Sequence, residues 1–279
     1  MKDEEWRTLA GLERAGAKTG TADVGRLSRA SMLPPERVKF AVGELGRKEL
    51  VAKRGGGFGL TREGVEVMAL KDYVRKDMIF AIGAIIAKGK ESDVYEALTE
   101  EGEALALKFF KIGRTSFTRV RKTRLAEGAE FRNWTTANFE AARREYRALK
   151  RLQGVSSAFP KAIAYSRSTV LLEELSGVRL SQRPELEDPG GALTLVLDAV
   201  RGAYVKARLV NADLSEYNLL TNGRRVWLID WPQAVEASHP NAMAFLEHDV
   251  RTVVSFFGKA YGVARDSDKA LEYARGGPG

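Results

Sequence analysis

The residues best suited to chemistry are two aspartates and an asparagine in the last third of the chain. Asp213 precedes Asn218 by five positions, and Asp230 follows the apolar run 226–229. An aspartate and an asparagine at that spacing can supply a catalytic carboxylate and a metal-binding amide. A carboxylate at a strand end suits a magnesium ion that bridges phosphates, because Mg²⁺ prefers oxygen ligands. The pattern therefore indicates metal-assisted chemistry on a phosphate.

A lysine and a glutamate upstream interrupt apolar patterns in the same way. Lys108 ends an alternating apolar strand predicted over 104–109, where an ammonium group is costly unless it is paired. Glu145 lies inside the apolar stripe of a helix predicted over about 138–152, so its carboxylate needs a cation. The two fit a strand-lysine and helix-glutamate ion pair that holds ATP phosphates. The alternative is two unrelated charges whose ends reach solvent.

A glycine turn precedes the lysine strand. In Gly89-Lys90-Glu91-Ser92, backbone amides could approach phosphates, and Lys90 and Ser92 would add donors. The segment is not a P-loop, since Glu91 stands where that motif has Ser or Thr. Taken alone, the segment is better explained as a polar turn between strands.

The order of these features is more specific than any one of them. Glycine turn, strand lysine, helix glutamate, Asp-x4-Asn and strand-end aspartate follow the order of a bilobal protein-kinase-like fold. After Asp230 only 279 − 230 = 49 residues remain. That is too few for an activation loop and the helices that bind peptide. We therefore predict an α+β fold, kinase-like but without those subdomains.

Residues 1–75 are predicted to form a separate module. Three helices, a hairpin with the turn Gly55-Gly56-Gly57 and a fourth helix capped by Thr61 give the order of a winged helix. Its basic side chains could grip nucleic acid or form a solvated docking face; they are Lys39, Arg47, Lys48, Lys53 and Arg54. Residues 76–279 form the predicted kinase domain, with an N-lobe at about 76–172 and a C-lobe at about 176–279.

The regions between these motifs are predicted from the same patterns. Strands are expected at 83–87, 93–98 and 104–109, followed by a basic loop over 111–124. A helix over about 191–206 precedes a hairpin whose turn carries Asn222-Gly223.

Composition excludes several classes of protein. The chain has 45 basic and 37 acidic residues, a net charge of +8, no cysteine, and only His239 and His248 as histidines. Disulfide scaffolds, zinc fingers and thiol catalysis are therefore excluded. The longest apolar run, 78–87, is about half of a bilayer span, and no secretory signal begins the sequence. We expect a cytoplasmic protein without membrane contact, and the basic balance favours a polyanionic partner.

Several strings resemble the RIO family of atypical serine kinases, and its type-two branch in particular. They are residues 89–95, 106–108, 114–117, 229–233, 238–242 and Asp249-Val250. The predicted N-terminal winged helix also fits type two, and the short C-terminal end resembles archaeal members. The resemblance covers all but about the last twenty residues.

The resemblance implies a complete set of roles. Lys108, Asp213 and Asp230 would be catalytic, and Asn218 and Asp230 would hold Mg²⁺ or Mn²⁺. Three sets of residues would bind ATP. They are Lys90, Glu91 and Ser92 of the nucleotide loop, the ion pair of Lys108 and Glu145, and an adenine segment in which Glu173 and Leu175 would offer backbone groups to the base. The family further implies that Asp230 becomes transiently phosphorylated. Turnover would then act as an ATPase switch on the maturing small ribosomal subunit and its rRNA.

Two departures from the family pattern fall in the predicted site. Asn211-Ala212-Asp213 stands where His-Gly-Asp is usual, and Ala87 stands where a glycine opens the nucleotide loop. Asparagine cannot reproduce the shape or protonation of imidazole, and each alanine adds a methyl group. Reduced turnover is therefore expected.

Three functional hypotheses remain open. The first is an ATP-dependent ribosome-assembly switch that binds rRNA and works as a monomer. The second is a pseudokinase that binds nucleotide without hydrolysis and serves as an RNA-binding assembly factor. The third is a DNA-binding regulator, or a small-molecule phosphotransferase that shares the bilobal fold.

Overall fold

The computed structural model describes residues 1–111 and 134–278. The chain divides into two compact units, one comprising Met1–Glu103, Lys108–Glu140 and Ser166–Thr169 and the other the remaining segments. The predicted domain and lobe limits stay predictions. The expected basic loop lies outside the described residues from position 112 onward, and so does the string 114–117.

The N-terminal elements follow the predicted order. They are α1 (Asp3–Gly16), α2 (Val24–Ser31), α3 (Pro35–Arg47), β1 (Val51–Arg54), β2 (Gly57–Leu60) and α4 (Arg62–Val74). Asp23 caps α2 by accepting the N–H of Arg26 at 2.8 Å, and Thr61 caps α4 through the N–H of Gly64 at 3.0 Å. The helices close on buried apolar side chains that include Leu9, Leu27 and Leu45.

A five-stranded sheet contains all three predicted strands. Its strands are β3 (Ala81–Lys88), β4 (Ser92–Leu98), β5 (Ala104–Phe110), β6 (Ala162–Ser166) and β7 (Thr169–Glu173), in the order β3-β4-β5-β7-β6. The pairing of β3 with β4 shifts register between Ile82 and Ile85 and again between Ile85 and Ala87. These irregularities distort the strand just before the glycine turn at residues 89–92.

Helix α5 (Trp134–Leu152) begins four residues before the predicted start at Asn138. Its first turn contains Thr135 and Thr136, whose β-branched side chains have low helix propensity. The sequence pattern therefore becomes helical only after the helix has begun.

The remaining elements belong to the second unit. They are β8 (Val178–Arg179), α6 (Pro189–Val205), β9 (Leu209–Val210), β10 (Leu219–Thr221), β11 (Val226–Leu228), β12 (Val235–Glu236), α7 (Ala242–Tyr261) and α8 (Ser267–Ala274). The hairpin predicted at Asn222-Gly223 is confirmed, with Thr221 opposite Val226 and a four-residue loop between them. In the described part of the chain, no helix is both long and apolar enough to cross a membrane.

Candidate active site

The segment between β9 and β10 carries Asp213 and Asn218 and is held by its own side chains. The Nδ2 group of Asn218 donates to the carbonyl oxygen of Asp213 at 2.7 Å. Asn218 is buried, whereas Asp213 is exposed. Because the amide donates through nitrogen, its Oδ1 atom is the group available as an acceptor. That oxygen is the one a hard cation requires.

Asn211 connects the segments of both aspartates. Its Nδ2 group donates to the carbonyl oxygen of Asp230 at 3.0 Å, and its Oδ1 atom accepts the N–H of Asp213 at 3.2 Å. Only 4% of Asn211 is exposed, so these bonds form away from solvent. The asparagine that departs from the family pattern therefore fixes the spacing of Asp213 and Asp230.

Helix α7 contributes a carboxylate that the sequence analysis left without a role. Asp249 accepts the N–H of Ala212 at 2.8 Å and the N–H of Leu214 at 3.0 Å. Burial raises the pKa of Asp249 to about 7, while the two N–H donors lower it and the charge of Asp213 raises it. A sequence signal existed, since Asp249 interrupts the apolar stripe of α7 as Glu145 interrupts that of α5.

Two residues of the site have left-handed backbone conformations. The φ angle is 67° at Ala212 and 69° at Asp230. Each costs about 1 kcal/mol or more for a residue with a Cβ atom. The hydrogen bonds from Asn211 and to Asp249 hold these conformations in place. At position 212, the glycine of the family pattern would avoid the strain.

Glu145 is buried, as predicted, and its structural contact lies next to Asp230. Its Oε1 atom accepts the N–H of Trp231 at 3.3 Å, and the Trp231 indole donates to the carbonyl of Leu228 at 3.0 Å. Glu145 therefore supports the segment that carries Asp230. The predicted ion pair with Lys108 joins residues of different compact units and stays a prediction.

Lys108 lies within β5, two residues before its end, and is 6% exposed; its Nζ atom lies 4.8 Å from the centre of the Phe110 ring. At this distance the ammonium group forms a cation–π contact with the ring. The burial predicted from the apolar strand pattern is confirmed.

The predicted nucleotide turn, residues 89–92, is a tight connection between β3 and β4. The N–H of Gly89 donates to the carbonyl of Ser92 at 2.8 Å. A Cβ atom at position 89 would lie 2.9 Å from that carbonyl oxygen, so the turn requires glycine. Lys90 is exposed, while Glu91 and Ser92 are half-buried. Their side chains are thus accessible to a ligand.

The predicted adenine segment begins at the end of β7. The N–H of Glu173 donates to the carbonyl of Lys161 at 3.0 Å, and its carboxylate accepts the N–H of Lys161 at 2.8 Å. Glu173 and Leu175 line a cavity of about 880 Å³ together with Phe159 and Trp227. The N–H of Glu173 is therefore engaged, which leaves its carbonyl and the Leu175 N–H as the backbone groups to consider.

The chemistry of the predicted metal ligands suits a magnesium ion. Asn218 and Asp230 would supply oxygen atoms, and Mg²⁺ commonly takes one or two protein carboxylates and completes its shell with substrate phosphates and water. Among the described residues no group of three His, Cys, Asp or Glu side chains could hold a metal by itself. The donor set fits a metal that binds together with a nucleotide.

The fold and this site together define a protein-kinase-like catalytic domain. A family model for the RIO domain matches residues 93–270. The chain belongs to the RIO family of atypical kinases. The predicted family and fold class are thus confirmed.

Relatives place the chain near the type-two branch. It is 32% identical over 259 residues to the RIO-type serine/threonine-protein kinase Rio2 of Methanocaldococcus jannaschii, covering 88% of this chain and 94% of that protein. It is 29% identical to serine/threonine-protein kinase RIO2 of Caenorhabditis elegans, covering 94% of this chain and 50% of that protein.

A solved structure shows the same fold. The Rio2 kinase of Chaetomium thermophilum, in a complex with ADP, Mg²⁺ and phosphoaspartate, superposes with a TM-score of 0.82 at 23% identity, covering 99% of this chain and 87% of that one. The roles of individual residues in this chain stay predictions.

Proposed function

We propose that this protein transfers the γ-phosphoryl group of Mg-ATP. The observation that carries the proposal is the network around Asn211, which ties Asp213 to Asp230 while Asn218 is held by the Asp213 carbonyl. These bonds hold the backbone at Asp213 and Asp230, which supports a role for their carboxylates and for the Asn218 amide in a site organised before any ligand arrives. Membership of the RIO family supports the same reaction class.

Each residue has a distinct task in this reaction. The exposed carboxylate of Asp213 accepts a proton from an attacking hydroxyl group or water molecule. Asn218 and Asp230 would hold Mg²⁺, which neutralises charge on the phosphates when bound. Lys108 and Ser92 supply donors for phosphate oxygens, and Glu145 keeps the Asp230 segment in place.

We further propose that turnover acts as a switch in small-subunit maturation, with rRNA and the pre-ribosomal particle as partners. The net charge of +8 supports a polyanionic partner. The proposed cycle includes transfer of the phosphoryl group to an Asp230 carboxylate oxygen with release of ADP, followed by hydrolysis of the acyl phosphate. This role implies a cytoplasmic, monomeric protein. Mn²⁺ would serve the same oxygen ligands.

A second candidate is a pseudokinase that binds nucleotide without turning it over. The strain at Ala212 favours it, because a loop that must pay for its backbone conformation is easier to displace from the productive geometry. Such a protein would act as a nucleotide-stabilised RNA-binding factor.

Single-turnover hydrolysis of Mg-ATP distinguishes the two. We expect phosphate release by the wild-type chain and a decrease of at least about 100-fold in Asp213→Ala and Asp230→Ala, as for loss of a catalytic group. Asp268→Ala is the matched control, since Asp268 is exposed and forms only a surface ion pair with Arg251. ATP-dependent thermal stabilisation with no faster hydrolysis than in the variants would establish the pseudokinase.

A further inference from the structure

From position 141 onward the outward face of α5 is basic, whereas one helical turn before Arg144 the same face carries the half-buried Glu140. Between positions 141 and 152 the only acidic residue is Glu145, which is 1% exposed. The basic residues of this stretch are Arg143, Arg144, Arg147, Lys150 and Arg151, all exposed or half-buried. Steps of three and four positions place the last four on one side of a helix. The helix therefore carries a row of like charges opposite its apolar stripe.

The row continues onto a neighbouring segment of the same unit. Arg151 donates to the carbonyl of Ala207 at 2.6 Å and pairs with Glu236 at 3.1 Å. This contact sets the end of α5 beside the exposed side chains of Lys206 and Arg208. We call this surface the α5 basic face; it consists of Arg144, Arg147, Lys150, Arg151, Lys206 and Arg208.

Most of this charge is not neutralised within the structure. In the described part of the chain, Arg144, Arg147 and Lys150 form no ion pair and no hydrogen bond. Like charges three or four positions apart destabilise a helix, and surface helices usually mix both signs. Because the fold does not need this row of positive charges, the simplest explanation is that the row binds an anion from outside the protein.

The spacing of the row fits a nucleic acid backbone. From Arg144 to Arg151 the helix rises by about 10 Å, the length of roughly three phosphates along one strand of a duplex. Three of the four side chains in this row are arginines, whose guanidinium group binds phosphate oxygens in pairs.

We propose that the α5 basic face is the surface by which the second unit binds the phosphate backbone of RNA. The inference rests on the proposed RNA-binding function and deepens it, because it assigns binding to the kinase domain rather than to α3. Binding would be independent of base sequence, since the contacts are to phosphates.

The test compares two full-length triple variants that each remove three positive charges. One changes the α5 basic face (Arg144→Gln, Arg147→Gln, Lys150→Gln), and its control changes α3 (Arg37→Gln, Lys39→Gln, Arg47→Gln). The measurement is fluorescence anisotropy of a labelled mixed-sequence RNA duplex across a salt series. Glutamine keeps helix propensity at these exposed positions, and circular dichroism confirms the fold.

We expect the α5 variant to lose affinity on the order of 100-fold at about 0.1 M salt and to reduce the slope of log affinity against log salt by about 3. The α3 variant should change affinity less than about 3-fold, because its cations are already paired. A variant with Arg144→Lys and Arg147→Lys should keep the wild-type salt slope.

Four results overturn the inference, and they are distinguishable. An α5 variant that binds like wild type overturns the inference alone, and so does a larger loss in the α3 variant. If polyglutamate displaces the labelled RNA as effectively per charge as unlabelled RNA does, the α5 basic face is assigned to an acidic protein instead. A wild-type chain that does not bind RNA overturns the proposed RNA role as well. If the chain does not hydrolyse ATP but its RNA binding still depends on the α5 basic face, the proposed phosphoryl transfer fails and this inference stands.

Discussion

Helices α3 and α5 resemble each other in sequence and differ in what surrounds them. Both have a buried apolar face and a solvent face rich in arginine and lysine. Around α3 each of these cations has a carboxylate partner, the pairs being Arg37 with Glu4, Lys39 with Glu36, Arg47 with Glu44 and Lys48 with Glu5. On α5 three of the cations have no such partner in the described part of the chain.

The comparison shows that positive charge in a sequence does not locate a binding surface. A cation paired with a carboxylate gives little net field, so its attraction for a phosphate is weak. The prediction that α3 meets nucleic acid rested on the presence of Lys39, Arg47 and Lys48. Their pairing favours the alternative, in which this helix presents a solvated or docking face.

Matched charges also hold the first unit together. The guanidinium group of Arg167 binds Glu13 of α1 at 2.6 and 3.0 Å and Asp72 of α4 at 2.6 Å. Asp72 further accepts the hydroxyl of Ser166 at 2.9 Å. Arg167 thereby joins the β6–β7 turn to two helices of the N-terminal module, and the sequence analysis gave no sign of it.

The largest predicted effect concerns Asp249, a buried carboxylate with N–H donors but no cation partner among the described residues. Its pKa is about 7 in the folded state and near 3.8 otherwise, so the folded state binds an extra proton between these values. The stabilisation is complete below about pH 4 and is lost as the pH rises through 7. Relative to Asp249→Asn, we expect the wild type to lose up to about 4 kcal/mol of unfolding free energy from pH 4 to 8. Urea unfolding at a series of pH values measures this, and parallel pH profiles would contradict it.

The second prediction tests the matched cluster around Arg167. Arg167→Ala removes a partly buried guanidinium and leaves the carboxylates of Glu13 and Asp72 without their cation, so we expect a loss of about 2–3 kcal/mol of unfolding free energy. RNA affinity should not change. Arg224→Ala is the control, because Arg224 pairs with Glu187 at 2.5 Å on an open surface and should cost less than about 0.5 kcal/mol. Equal losses in the two variants would show that the Arg167 cluster has no special structural role.

The third prediction would make α3 behave like α5. Glu4→Gln and Glu44→Gln together leave Arg37 and Arg47 unpaired while the helix stays intact. In the α5 triple variant we expect this change to restore RNA affinity by about 5- to 10-fold at low salt, since each freed cation can contact a phosphate. The control is Glu187→Gln, which removes one negative charge, as each α3 substitution does, and frees Arg224 instead. An unchanged affinity would show that pairing is not what separates the two helices.

The smallest predicted effect isolates backbone strain from charge. Ala212→Gly relieves a φ of 67° without touching any charged group. We expect a gain of about 0.5–1 kcal/mol in unfolding free energy. Ala199→Gly in the middle of α6 is the control and should cost about 1 kcal/mol, because glycine weakens a helix interior. Thermal unfolding measures both, and a destabilised Ala212→Gly would contradict the assignment of strain.

Sequence patterns predicted the parts of the site that depend on local order. The turn at Gly89, the burial of Lys108 and Glu145, and the hairpin at Asn222-Gly223 follow from alternation and turn chemistry, and the structure confirms them. The first turn of α5 was missed because its threonines favour strands. Asp249 was left without a role because its partners, the N–H groups of Ala212 and Leu214, lie more than thirty positions away.

By itself the sequence determined the element order, the RIO-like arrangement of motifs and the excess of positive charge, since each depends on residues close together in the chain. Only the tertiary structure decided which charges are neutralised, because an ion pair depends on distance in space. Glu5 and Lys48 are 43 positions apart, and Glu13 and Arg167 are 154 apart. The same reason applies to Asn211, whose link to Asp230 across 19 positions exists only once β10 and β11 have folded between them.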